Sequence, residues 1–97
     1  MAEQMLGSET TQLPAGSDFL SLNAGSYNIS GNDIGSMVNG PAEYTSASRL
    51  RVFVVEHASS DFQTIFMFNN TDSNILVAKK NGATSIKWYQ LPLTLMV

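Results

Sequence analysis

The 97-residue sequence contains no cysteine and a single histidine, only 13% of its residues are charged, and no positive charge precedes Arg49. Without cysteine, neither a disulfide framework nor a thiolate zinc site can staple the chain. One histidine argues against a His-rich metal centre and against a His-centred relay. No apolar run reaches the ~18 residues of a membrane helix, so membrane insertion is not expected. No basic-plus-apolar leader opens the chain, which points to a reducing interior or an assembled particle rather than to secretion. A net charge of −3 is the wrong sign for phosphate binding, so nucleic acid is not an expected partner.

The length admits one domain. A chain this short buries only roughly 60–65% of its unfolded surface and is marginal alone. With disulfides and metals set aside, oligomerisation is the remaining staple. Charge is also unevenly spread. Residues 1–48 carry Glu3, Glu9, Asp18, Asp33 and Glu43 for a net −5, whereas residues 49–97 sum to +2 through Arg49, Arg51, Lys79, Lys80 and Lys87. Oppositely charged halves attract within a subunit or between subunits, with screening keeping the effect modest.

Residues 1–18 read as an arm or linker, because Gly7-Ser8, Thr10-Thr11 and Pro14-Ala15-Gly16-Ser17 break any period. Tyr27 and Ile29 alternate between Gly25 and Gly31, predicting a short strand. Asn39-Gly40-Pro41 is a turn, since Asn and Gly tolerate positive φ and Pro fixes its own. Beyond it, Leu50, Val52 and Val54 alternate with Arg51, Phe53 and Val55, a run too dense in β-branched residues for a helix. Residues 62–68 and 86–91 are strand-like, with Ile75, Leu76 and Val77 between them. A loop at 57–61, a polar turn at 69–74 and the hairpin signal Asn81-Gly82 separate these strands. The expected fold is all-β, a small antiparallel meander or sandwich-like knob over residues 19–91, with a C-terminal apolar tail at 92–97.

A half-wet antiparallel strand is apolar on one face only. Residues 52–55 and 65–68 are apolar on both. Phe19, Leu22, Tyr27 and Ile29 are expected to fold back as a second layer, and another copy of the chain to cover the rest. The tail repeats the pattern, with Leu91, Leu93, Leu95 and Val97 at strand spacing. It either docks on the oligomer or was cut from a longer chain.

Chemistry-bearing clusters are sparse. Glu56, His57 and Asp61 form the one acid–imidazole group, but neighbours in a strand point to opposite faces, so it reads as a solvated hairpin rather than an acid–base pair. Asn70-Thr71-Asp72-Ser73-Asn74 spaces oxygens like the start of a calcium loop, yet lacks the glycine and the distal glutamate, and reads as an ordinary turn. Asn28-Ile29-Ser30 and Asn69-Asn70-Thr71 match the glycosylation pattern and read as turn chemistry. In Trp88-Tyr89 alternation sends one ring inward and one outward. The inner one is core, and the outer one is either packing or a stacking platform for a sugar. Arg49 and Arg51 share a strand face, as a solvated edge or an intersubunit ion pair.

The order of these residues resembles the pyocin-knob domain of bacteriophage tail fibres, tailspike-type depolymerases and R-type pyocin fibres. Gly25-Ser26-Tyr27, Asn39-Gly40-Pro41, Leu50-Arg51-Val52, Gln63-Thr64, Lys79-Lys80 and the closing Trp88-Tyr89-Gln90-Leu91 follow that family's sequence of motifs over about residues 19–91. Lys79-Lys80 stands where an arginine is usual, and Ser85 replaces the first of two tryptophans. The resemblance implies a homotrimeric, non-enzymatic fibre module without a cofactor, made in the host cytoplasm and built into the virion. It also implies bacterial lipopolysaccharide or capsule glycan as the ligand class. Candidate glycan contacts are Ser59, Ser60, Asp61, Asn69, Asn70, Asp72 and Tyr89. The alternative is a pure trimerisation module without a ligand, and a small enzyme subunit stands further off.

Overall fold

A computed structural model of the chain describes residues 10–41, 44 and 48–96. It is mostly β: six strands form one sheet in chain order, β1 (Thr11–Gln12), β2 (Gly25–Ile29), β3 (Leu50–Glu56), β4 (Phe62–Phe68), β5 (Asn74–Asn81) and β6 (Ile86–Pro92). From β2 to β6 all pairings are antiparallel, giving the expected meander. β1 joins β2 in parallel, with Thr11 opposite Tyr27. A parallel neighbour needs a crossover of about a dozen residues, and residues 13–24 supply it. The expected arm over residues 1–18 is therefore in part a sheet edge, and Leu13 belongs to the core. Its first nine residues lie outside the described ones.

The second layer is not a sheet, which corrects the sandwich-like expectation. It consists of loop and two short 3₁₀ turns, Phe19–Ser21 and Ile34–Ser36. Leu13, Phe19, Leu22 and Ile34 come down on Ile29, Leu50, Val52, Val54, Ile65, Met67, Leu76 and Ala78. Phe19 and Leu22 fold back as expected, whereas Tyr27 and Ile29 are sheet residues in β2. Asn28, read as turn chemistry, likewise sits mid-strand.

Polar side chains fasten this layer to the sheet. Buried Lys80, 6% exposed, donates from Nζ to the carbonyls of Leu20 (2.8 Å) and Ser60 (2.7 Å). Buried Gln63 donates from Nε2 to the Leu22 carbonyl at 2.9 Å. Trp88 donates from Nε1 to the Asn39 carbonyl at 2.9 Å and meets the Phe19 ring edge-on at 5.1 Å. The acceptors are carbonyls of a 3₁₀ turn and of loops, and for the buried Gln63–Leu22 bond an orphaned partner would cost about 1–3 kcal/mol. Asp18 caps the first turn, its Oδ1 accepting from Leu20 N and Asn39 Nδ2, both at 2.9 Å. Those two bonds, that to Asn39 the stronger influence, hold the Asp18 carboxyl below its ordinary value of 3.8. Burial of the ring pushes the Tyr27 hydroxyl up, although it donates to the Asn23 carbonyl at 2.7 Å.

The turns fall where the sequence puts them, with one change. Asn81-Gly82 opens a four-residue connection rather than a two-residue one. Asn81 N bonds Ser85 O at 3.0 Å, and Gly82, at φ +115°, bonds Asp61 O at 2.7 Å. Gly40 is required by contact, because a Cβ there would lie 3.3 Å from both the Phe19 ring and Met37 Cβ. β5 also runs further than Ile75, Leu76 and Val77, taking in both lysines.

Candidate functional site

The face of the sheet turned away from the loop layer carries the unexplained surface. Strand alternation sends Arg51, Phe53 and Val55 of β3 to it, and the register aligns them with the other strands. One row crosses the sheet as Ser26, Phe53, Phe66, Val77 and Tyr89. A second runs Asn28, Arg51 and Phe68, and Ile75 pairs with Leu91 along the same line. Val55, Thr64, Lys79 and Lys87 make a third. Phe53 and Phe68 touch with centroids 5.7 Å apart, and the Arg51 guanidinium lies 5.4 Å from the Phe53 centroid. Val55, Phe62, Phe66, Tyr89 and Leu91 are all exposed, the last two at 52% each. The charges on these rows, Arg51, Lys79 and Lys87, are all positive.

Past the sheet the apolar surface continues. Leu93 N bonds Ser73 O at 2.8 Å, prolonging the β6 edge, while Leu95 and Met96 are exposed. Val97 lies outside the described residues. No helix among the described residues is long and apolar enough to cross a membrane.

At one corner of the outer face a cavity of about 360 Å³ opens between the start of β3 and the end of β4. Arg49, Arg51, Asn28, Phe68, Asn69 and Asn70 line it. Arg49 Nη1 donates to Gln12 Oε1 at 3.0 Å and Arg51 Nε to Ser26 Oγ at 3.2 Å. Both acceptors are neutral, so neither bond neutralises a guanidinium. The shared strand face expected for these arginines is what brings them to one cavity.

The residues expected to contact glycan fall into three places. Asn69, Asn70 and Asp72 belong to the β4–β5 turn, where Asn69 Oδ1 accepts from Thr71 N (3.0 Å) and Asp72 N (2.7 Å). Asp72 also accepts from the Tyr44 hydroxyl. Ser59, Ser60 and Asp61 form the β3–β4 turn at the other end of the strands, about 20 Å away at ~3.4 Å per residue. They are engaged structurally: Ser59 Oγ accepts from Asp61 N at 3.3 Å, and the Ser60 and Asp61 carbonyls hold Lys80 and Gly82. Tyr89 lies out on the apolar face, with its neighbour Trp88 inward as alternation requires.

Glu56 and His57 diverge as expected. Glu56 Oε2 accepts from Ala24 N and Gln63 Nε2, both at 3.3 Å, while His57 Nε2 pairs with Thr64 Oγ1 on the outer face at 2.8 Å. No group of three or more His, Cys, Asp or Glu among the described residues could hold a metal ion. The arginine cavity was missed in the sequence because Asn28 and Phe68 join it only through the register. Compared with known proteins, the chain matches no family model, no curated protein and no solved structure.

Proposed function

We propose that this chain is a non-catalytic assembly module that works as a homotrimer, of the kind found in fibres of phage and phage-like particles. The observation that carries it is the outer sheet face, apolar across β3 to β6, where the charges on the strand rows of the described residues are all cations. Contiguous apolar surface of this kind marks an interface. Its charge selects the geometry. A two-fold pairing of outer faces would bring Lys79 and Lys87 of both copies onto one shared surface. A head-to-tail contact sets them against the neighbour's loop layer, where Asp18 and Asp33 stand. Heterologous contacts close into rings where the rotation between neighbours closes, and a three-membered ring agrees with the resemblance carried by the motif order from Gly25-Ser26-Tyr27 to Trp88.

Assembly is favoured over presentation of glycan by the turns, because the two polar turns stand about 20 Å apart and Ser60 and Asp61 serve the fold. Light scattering on the eluting protein at micromolar concentration tests the proposal. A mass of three chains is expected, and a monodisperse monomer or a stable dimer overturns it.

A further inference from the structure

We propose that the corner cavity is a binding site for a carboxylate-bearing sugar, with Arg49 and Arg51 as the carboxylate clamp. This goes beyond assembly and uses a different part of the molecule. Arg49, just before β3, and Arg51 within it are two residues apart, about 7 Å between Cα atoms in extended chain. Both line the same cavity, and no carboxylate among the described residues is bonded to either. An anion there gains charge-assisted hydrogen bonds, for which the planar guanidinium fork is suited. Both side chains are already oriented. Ser26 takes the Arg51 Nε and Gln12 takes one Arg49 nitrogen, which leaves both terminal nitrogens of Arg51 and the Nη2 and Nε of Arg49 to donate.

The rest of the lining suits a hydroxylated ring better than a bare ion. Asn28 stands beside Arg51 in the register and Phe68 on its other side, so the three residues are neighbours across β2, β3 and β4, with the Arg51 guanidinium leaning toward Ser26 and Phe53. The amides of Asn28 and Asn70 form no side-chain hydrogen bond among the described residues, and each offers both donor and acceptor to sugar hydroxyls. Asn69 is different, because its amide is spent on holding the turn that carries Asn70. Phe68 supplies an apolar wall for the C–H face of a pyranose. A cavity of about 360 Å³ lies at the small end of ligand-site volumes, roughly 300–1,000 Å³, and fits one or two sugar residues.

The test is an NMR titration of the assembled chain with glucuronate, glucose and inorganic phosphate, followed on the side-chain signals of Asn28, Arg49, Arg51 and Asn70. Saturable shifts at these residues with glucuronate, weaker ones with phosphate and none with glucose are expected. Arg51→Lys keeps the charge but loses the fork, and should weaken glucuronate binding by about tenfold. Asp61→Asn, which changes the net charge by one at the other end of the strands, should leave it unchanged. Phosphate binding more tightly than glucuronate overturns the sugar assignment. Tighter glucuronate binding in Asp61→Asn shows diffuse attraction and overturns the site, as does the absence of saturable shifts in a folded trimer. Loss of the trimer with glucuronate binding retained would break the assembly proposal and leave this one standing.

Discussion

The inner and outer faces of the sheet are built from the same strands with similar apolar content, yet the described residues cover only the inner face. Val54 and Ile65 are buried beneath the layer that holds Phe19, Leu22 and Ile34, while Val55 and Phe66, one position along, remain exposed. The difference is one of supply. Residues 13–37 provide four large apolar side chains for a second layer, and Lys80, Gln63 and Trp88 supply the donors that hold that layer down. Nothing equivalent covers the other side among the described residues. A chain of this size has little more than one core's worth of apolar side chains.

Breaking the inner face should cost the most. Ile65→Ala opens a cavity under the loop layer and should lower the unfolding free energy by about 2–5 kcal/mol, read from urea denaturation. Lys80→Met comes next. It keeps the stem but strips the ammonium from the Leu20 and Ser60 carbonyls, and should cost about 1–3 kcal/mol. On the outer face the sign of the comparison changes. Phe66→Asp should leave the subunit folded by circular dichroism while weakening self-association at least about tenfold in sedimentation, because the buried carboxylate meets no partner.

Two smaller effects sharpen the contrast. Lys79→Glu with Lys87→Glu should weaken a head-to-tail trimer modestly, and less as salt rises. Tighter association of that variant would instead show that outer faces meet basic surface. Asp18 carries the pH dependence of the loop layer. Its folded carboxyl titrates below 3.8, so the unfolded chain takes up the proton first as pH falls. The stability it contributes is present above pH 3.8 and is lost as pH drops through the lower folded value. Asp18→Asn should flatten that part of the acid-unfolding curve, measured by Trp88 fluorescence.

The meander was legible because its signals are local. Alternation in residues 50–55, the polar turns and Asn81-Gly82 each specify their own geometry, and five of the six strands follow from them. β1 was not legible, since Thr11-Gln12 is a strand only because β2 offers a free edge. The length of β5 was missed for a related reason. Lys79-Lys80 reads as a solvated end, and the carbonyls that justify burying Lys80 come from 20 and 60 residues away in sequence. Of the candidate contacts, Asn69 and Asn70 do stand at a cavity, but its guanidiniums and ring come from β3 and β4. Arg49 and Arg51 were visible as a pair, and Asn28 and Phe68 were not.

Sequence alone determined that this protein is β-rich, that it carries apolar strands on both faces, and that its charge is divided between its halves. These are properties of neighbouring residues and of composition. Tertiary structure decided which face the loop layer covers, that the charges on the other face's strand rows are cations among the described residues, and that two arginines, three amides and a phenylalanine share one corner. Such facts depend on strand register and on long-range hydrogen bonds, and a one-residue shift in register would send every side chain of a strand to the other face.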